Sequence, residues 1–331
     1  MALDATIALG AETAYGTAAS TVDGYEGKGD SWKTTREFME SVGFRTGLQT
    51  ARADRRRIVD MGGEGEIECD VLDAGAATLF ASAFDRHESK PAGKTTAHTF
   101  TSASTGSGKS FTAEMVRPKA SGGVTAFRHV GCVATTVELT QEVGSPLAVK
   151  VAFDFQTVTH GAAALAPVYP AEAFPFDWTA GVVEFKQPGA SAYTPLDVTK
   201  WTISAESGLK TDRRFVRANP LKKVPVRAAV PTYEGSIEAE FDDSTLAFYE
   251  AFIAGTVLSA RITYTGATKA SDGKSSGLVI EAPAIQFTGD SPEASIDEIT
   301  VMELPFRILD PGNADALKLV YAEPTPLAAG G

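Results

Sequence analysis

Residues Glu64–Val71 read EGEIECDV, and residues Glu234–Phe241 read EGSIEAEF. In the first, Ile67, Cys69 and Val71 alternate with Glu66, Glu68 and Asp70. In the second, Ile237, Ala239 and Phe241 alternate with Glu238 and Glu240. Alternation with period two is the mark of a strand with one buried and one solvated face. Val137 and Leu139, Val149 to Phe155, Ile285 and Phe287, and Ile299 to Phe306 read the same way. Val, Thr and Phe fill these runs, as a pleated surface favours. The chain is therefore expected to be mainly β.

The two stretches belong to a longer self-similarity. GLQT (47–50) recurs as GLKT (208–211), TLFASAF (78–84) as TLAFYEAF (245–252), GKS (108–110) as GKS (273–275), and VAFDF (151–155) as ELPFR (303–307). The order is kept and the offset stays within about 150–170 residues. We expect two tandem modules, a first at 1–170 with an N-terminal arm and a second at 171–331 with a C-terminal tail. One helix interrupts each, at about 74–86 and 243–254, with Asp73 and Asp243 as expected N-caps. Each module reads as a β-sandwich or barrel carrying one helix. Ser102–Gly108 and Thr265–Gly277 read as hairpin tips. Gly161 to Ala180 holds three prolines and reads as the inter-module linker. PTPLAAGG at the end reads as a frayed tail.

Composition sets the bounds. The 331 residues are 43% hydrophobic and 22% charged, which suits a folded protein with a sizeable core. The net charge of −12 does not suit wrapping a nucleic-acid backbone. No apolar run is long enough for a transmembrane helix. MALDATIALGAE carries Asp4 and Glu12 and no positive n-region, so a secretory signal is not expected. Cys69 and Cys132 are too few for a disulfide framework or a thiolate metal site and read as buried free thiols.

No stretch reads as catalytic. STGSGKS (104–110) lacks the first glycine of a phosphate-binding loop, because Ala103 stands there, and the following SFTAEMV alternates like a strand. His87, His98, His129 and His160 form no metal-ligand spacing and read as scattered strand or surface histidines. No nucleophile elbow occurs. The acidic faces recur in both halves and read as a solvated strip rather than acid–base pairs. No cofactor is expected. Trp32, Trp178 and Trp201 are too spread to form a carbohydrate platform.

Charge is uneven. Residues 45–57 carry a local excess of four positive charges and residues 208–227 an excess of six, leaving −22 on the remainder. They read as solvated loops or as docking segments for acidic surface on a neighbouring subunit. With only Phe44 and Phe215 interleaved, they make a poor nucleic-acid stacking surface.

The chain resembles the tail tube proteins of long-tailed bacteriophages, of the type built from two tube modules. GAETAYGTA (10–18) resembles the family's opening, PFDW (175–178) the start of its second half, and EGSIEAEF followed by TLAFYEAF its strand-then-helix segment. APAIQF (282–287) and ELPFRIL (303–309) resemble its closing strands. SAESGLKT (204–211) departs from the turn common in relatives. The resemblance implies a structural virion protein, assembled in the host cytoplasm, whose stacked rings form a tube that conducts DNA. Self-association in a ring trimer of pseudo-sixfold symmetry is expected, with a hexamer as the alternative. The tape measure, tail terminator and baseplate proteins would be partners, and double-stranded DNA would pass without specific binding. Glu66, Glu68, Asp70, Glu238 and Glu240 would line the lumen. Arg52, Arg55, Arg56, Arg57, Arg213, Arg214, Arg217, Lys222 and Lys223 would make contacts between rings. A minor tail or baseplate protein, or a carbohydrate-binding β-sandwich, are the competing readings.

Overall fold

The computed structural model describes residues 5–41, 43, 46–47, 50, 52–102, 109–289 and 300–325. Among them the chain is mainly β, with two α-helices. The strands of the first half are β1 (Thr6–Ala11), β2 (Val22–Tyr25), β3 (Gly27–Glu40), β4 (Arg56–Asp70), β5 (Arg86–Ala92), β6 (Thr95–Thr101), β7 (Phe111–Pro118), β8 (Val124–Glu142), β9 (Ala148–Phe155), β10 (Thr157–His160) and β11 (Pro167–Val168). Those of the second half are β12 (Gly181–Lys186), β13 (Thr194–Leu196), β14 (Lys200–Glu206), β15 (Leu209–Lys210), β16 (Val226–Arg227), β17 (Thr232–Glu240), β18 (Leu258–Lys269), β19 (Ser275–Phe287), β20 (Val301–Ile308) and β21 (Lys318–Pro324). Helix α1 is Ala77–Ala83 and α2 is Asp243–Ala254.

Strand pairing runs in the same order in both halves. The long strands β8 and β19 each serve two sheets. In the first half the orders are β2-β1-β7-β8 and β3-β4-β9-β8; in the second they are β13-β12-β18-β19 and β14-β17-β20-β19. Even an irregularity recurs: β7–β8 slips between Phe111 and Ala113, and β18–β19 between Leu258 and Ala260. Such a bulge bends a strand, here where β8 and β19 pass from one sheet to the other. β10 pairs β8 as β21 pairs β19.

The halves join through strands. β8 pairs β14 from Thr136↔Glu206 to Glu142↔Lys200, and β6 pairs β21. The buried face of the resulting β3-β4-β9-β8-β14-β17-β20 sheet carries Ile67, Val151, Phe153, Leu139, Trp201, Ile203, Ile237, Leu304 and Phe306. The alternation read in both acidic strands holds at Ile67, Cys69, Val71, Ile237 and Ala239, all buried. Phe241 does not follow it: β17 ends at Glu240, and Phe241 is exposed beyond it.

Other expectations need correction. α1 is shorter than 74–86, because Phe84 turns extended and ends it. Neither aspartate caps as expected. Asp242 caps α2, its Oδ1 accepting from the Thr245 N–H at 2.9 Å while Thr245 Oγ1 accepts from the Asp242 N–H at 2.8 Å. Asp73 lies fully buried four residues before α1, for a reason given below. The GKS repeat does not mark corresponding turns. Lys109 and Ser110 precede β7, Gly108 lies outside the described residues, and Gly273 sits in the β18–β19 hairpin. The matching hairpin of the first half is β7–β8, which turns at Lys119–Gly123. The stretch after STGSGKS is the strand β7, so no helix follows to complete a phosphate loop. Of the tail, 326–331 lie outside the described residues, whereas Pro324 still belongs to β21.

The proline-rich 161–180 segment is strapped to the first half. β11 runs parallel to β2. Phe176 is buried, its carbonyl accepting from the Leu147 N–H and its N–H donating to the Val71 carbonyl.

Candidate assembly surfaces

Residues directly opposite across an antiparallel ladder share a face. One row runs Glu68, Lys150, Glu138, Ser204, Glu234, Arg307 across β4, β9, β8, β14, β17 and β20. The next rows on that face hold Glu66 opposite Ala152, Asp70 opposite Ala148, and Glu142, Lys200, Glu238 and Glu303 in line. Glu240 follows Glu238 at period two. The five acids singled out in the sequence thus stand on one face of one continuous sheet. Its charge comes from Glu64, Glu66, Glu68, Asp70, Glu138, Glu142, Glu206, Glu234, Glu238, Glu240 and Glu303 against Lys28, Lys33, Lys150, Lys200 and Arg307. Lys150 is 3.0 Å from Glu66, and Lys28 is 2.6 Å from Asp70. The Glu66 hydrogen bond and charge raise the pKa of the Lys150 ammonium. The reverse face of the sheet is the apolar core.

The basic segments have different fates in the two halves. β3 and β4 extend past the core as a two-stranded arm that is exposed on both faces from Thr34 to Glu40 and from Arg56 to Val59. Phe38, paired with Ile58, and Met39 and Val59 stand exposed on it. Arg56 lies 4.4 Å over the Phe38 ring and 2.9 Å from Glu40. Arg52 pairs with Asp54, Arg55 ends a 3-10 turn, and Arg57 lies opposite Met39; Arg45 lies outside the described residues.

The second basic segment folds back on the first half. Arg214 pairs with Asp60 of β4, Lys222 with Asp154 of β9, and Arg227 with Asp85. Arg213 donates to the Val224 carbonyl and Arg217 to the Leu221 carbonyl, while Arg213 and Lys223 flank the exposed Phe215 ring. Lys222 is only 5% exposed. That removes it from the surface cations: its role is to neutralise Asp154, whose pKa burial raises and Lys222 and Arg214 pull back.

A family model described as phage tail tube protein matches residues 2–306. The chain belongs to the phage tail tube protein family. No individually curated protein matches it. The family is one of structural virion proteins that assemble into a tube with other tail proteins, and it is not an enzyme family.

The opening GAETAYGTA of this tail tube protein is legible in atoms. The Glu12 carboxylate accepts from the Gly16 N–H at 2.8 Å, the Gly131 N–H at 2.8 Å and Thr112 Oγ1 at 3.0 Å. Gly16 has φ +80°, and a Cβ there would lie 2.3 Å from Gln156 Oε1. Glutamate and glycine are thus needed together to fold the arm onto β7 and β8.

Asp73 joins the halves. Its carboxylate accepts from the Phe174 N–H (2.9 Å), the Thr268 N–H (2.7 Å), Thr268 Oγ1 (2.8 Å) and Ser276 Oγ (2.9 Å). Sequence reasoning missed this, because all three partners are remote along the chain. It also missed the histidine pair. His87 Nε2 lies 2.9 Å from His98 Nδ1, and His98 Nε2 lies 3.1 Å from Glu323. The cross-strand pairing of β5 with β6 brings the rings together, so these two are not scattered. Burial and the neighbouring His98 lower the His87 pKa. Among the described residues no cluster of three metal-ligating side chains occurs. Both cysteines are buried free thiols, and burial pushes Cys69 up to about 12. Trp201 is buried, and Trp32 lies across Gly65.

Proposed function

We propose that this chain is the major tail tube subunit, polymerising as stacked rings around a lumen that conducts double-stranded DNA to the host. The observation that carries the reading is the acidic sheet face running unbroken across the β8–β14 junction. Two modules, at 1–170 and 171–331, would each contribute four strands to it. β14 pairs β17 on one side and β8 on the other, whereas β3 pairs β4 and has no strand on its other side among the described residues. The β3 edge of one copy would then receive the β19 end of the next, repeating between chains the junction already made within one. Three copies would close a ring of six modules with no free edge.

The acidic face, lined by Glu66, Glu68, Asp70, Glu238 and Glu240, would form the lumen. Fixed carboxylates there repel phosphate and keep DNA from adhering. The exposed β3–β4 arm, with Arg52, Arg55, Arg56 and Arg57, would reach the next ring. Arg213, Arg214, Arg217 and Lys223 would frame its landing surface, with Arg214 already tied to Asp60. Tape measure, terminator and baseplate proteins would meet the tube at its bore and ends, and assembly would take place in the host cytoplasm.

Electron microscopy of the concentrated protein tests the assembly. Threefold rings or tubes are expected; uniform monomers at every concentration would refute it. The lumen assignment is tested by Glu68→Lys with Glu238→Lys in assembled phage. Slowed or arrested DNA ejection is expected, and ejection at the unaltered rate would overturn the assignment.

A further inference from the structure

The two helices are covered unequally. α1 is closed over by β6 of its own half and β21 of the other: the Phe80 ring lies 5.8 Å from Phe100 of β6 and 5.7 Å from Tyr321 of β21. Leu79, Phe80, Ala81 and Ser82 are all buried. In α2 the inner residues Phe248 and Ala251 are buried, Phe248 against Phe185 and Phe287. Its outer side carries a second apolar stripe. Leu246 is 39% exposed and Ile253 67%, with the half-buried Tyr249 between them. Residues three and four apart lie on one helix face, so these three form a ridge, flanked by the exposed Glu250. A helix apolar on both sides belongs in an interior.

The chain contains the pattern for covering it. α1 packs at the junction where β21, the strand beside β19, meets the first half. The strand in β21's place in the first half is β10, beside β8. Its outer edge bears no strand among the described residues. Phe127 stands opposite His160 there, as Ile280 stands opposite Leu319 in the second half. Phe127 is 36% exposed, and its ring lies 6.2 Å from the exposed His160 ring. Between α2 and β18 there are only three residues, Gly255–Val257, so the second half has no hairpin corresponding to β5–β6. Among the described residues no such hairpin of its own half stands between α2 and a neighbour.

We propose that the outer ridge of α2, formed by Leu246, Tyr249 and Ile253, seats on the β10 edge of a second copy, against Phe127 and His160. The contact rests on the ring reading above and names the surface that holds neighbouring copies together outside the acidic sheet. It is tested with two variants of the full chain. Ile253→Asp replaces the most exposed ridge residue and leaves the inner face intact. Its folded spectrum and melting temperature should match the wild type while its assembly threshold rises about tenfold or more, as loss of an apolar anchor does. Ile253→Cys combined with His160→Cys, treated with a short bismaleimide on assembled material, should give covalent products between chains. If the wild type forms rings, Ile253→Asp assembles at the wild-type threshold and the cysteine pair links no chains, the α2 contact is wrong and the ring reading stands. If Ile253→Asp fails to fold, the cross-link alone decides. If the wild type forms neither rings nor tubes, both are wrong.

Discussion

Replacing Asp73 with alanine should separate the two halves energetically. Its carboxylate is fully buried and accepts four hydrogen bonds from Phe174, Thr268 and Ser276 at 2.7–2.9 Å. Alanine leaves two backbone N–H groups without an acceptor, each costing about 1 kcal/mol or more, and breaks two hydroxyl bonds worth about 1 kcal/mol apiece. The expected loss is about 3–5 kcal/mol, a large part of the roughly 5–15 kcal/mol that holds a typical domain folded. Asp73→Asn keeps one acceptor oxygen but turns an NH2 toward a donor, and should lose about half as much. The assay is urea unfolding of dilute, unassembled protein, followed by tryptophan fluorescence and by far-ultraviolet circular dichroism. In the alanine variant the midpoint should fall and the two probes should part, because the halves no longer unfold together. Faster amide exchange at Thr268 and Phe174 should accompany this. A loss below about 1 kcal/mol with coincident transitions would refute the reasoning. It would mean that the β8–β14 and β6–β21 ladders, with the ion pairs of the 208–227 segment, couple the halves without Asp73.

Two further perturbations are similarly specific. Burial beneath Trp32 drives the His129 imidazole from 6.5 down to about 4. On acidification the unfolded chain therefore takes up the proton first. Stability is complete above about pH 6.5 and falls by about 3 kcal/mol as pH drops toward 4. His129→Gln should flatten that slope in urea midpoints measured across the range, and equal slopes in both proteins would contradict the assignment. Gly65 lies opposite Trp32, and a Cβ there would sit 2.2 Å from the indole. Gly65→Val should lower the melting temperature by roughly 5 °C or more through overpacking, and an unchanged melt would show that the indole moves aside freely.

How far the sequence could be read depended on whether partners were local. Period-two alternation placed Ile67, Cys69, Ile237 and Ala239 in the core because a strand's two faces are written in adjacent residues. The bounds of α2 were legible from its own spacing; those of α1 were not, because the chain turns at Phe84 to start the β5–β6 hairpin. The sameness of the acidic strips was visible, but their presence on one face required the β8–β14 register, which no local pattern carries. Asp73 looked like a helix cap because aspartate before an apolar run usually is one. Its real partners lie about 100 and 200 residues away. Lys222 looked like the other loop cations because charge is read from composition, whereas burial depends on where the 208–227 segment folds.

The β3 edge raises a physical problem for the ring reading, and the sequence bears on how it is met. A fourteen-residue strand whose second edge is unpaired among the described residues invites pairing with any chain. Here it carries Lys28, Asp30, Lys33, Arg36, Glu37 and Glu40, both signs interleaved along its length. Charges of that kind penalise contact with an apolar edge but accept a complementary one. Free subunits would then stay apart until the correct partner edge arrives in register. The within-chain junction needs no such guard, since β8 and β14 are joined covalently, and β14 accordingly carries charge only at its ends, Lys200 and Glu206. In the proposed ring the two junctions would also differ in their outer fastening, β5–β6 over β21 inside the chain and the α2 ridge on β10 between chains. A ring with two kinds of junction in alternation has threefold, not sixfold, symmetry. Two tandem modules per chain would thus let one junction be optimised for stability and the other for controlled assembly, which six identical modules could not do.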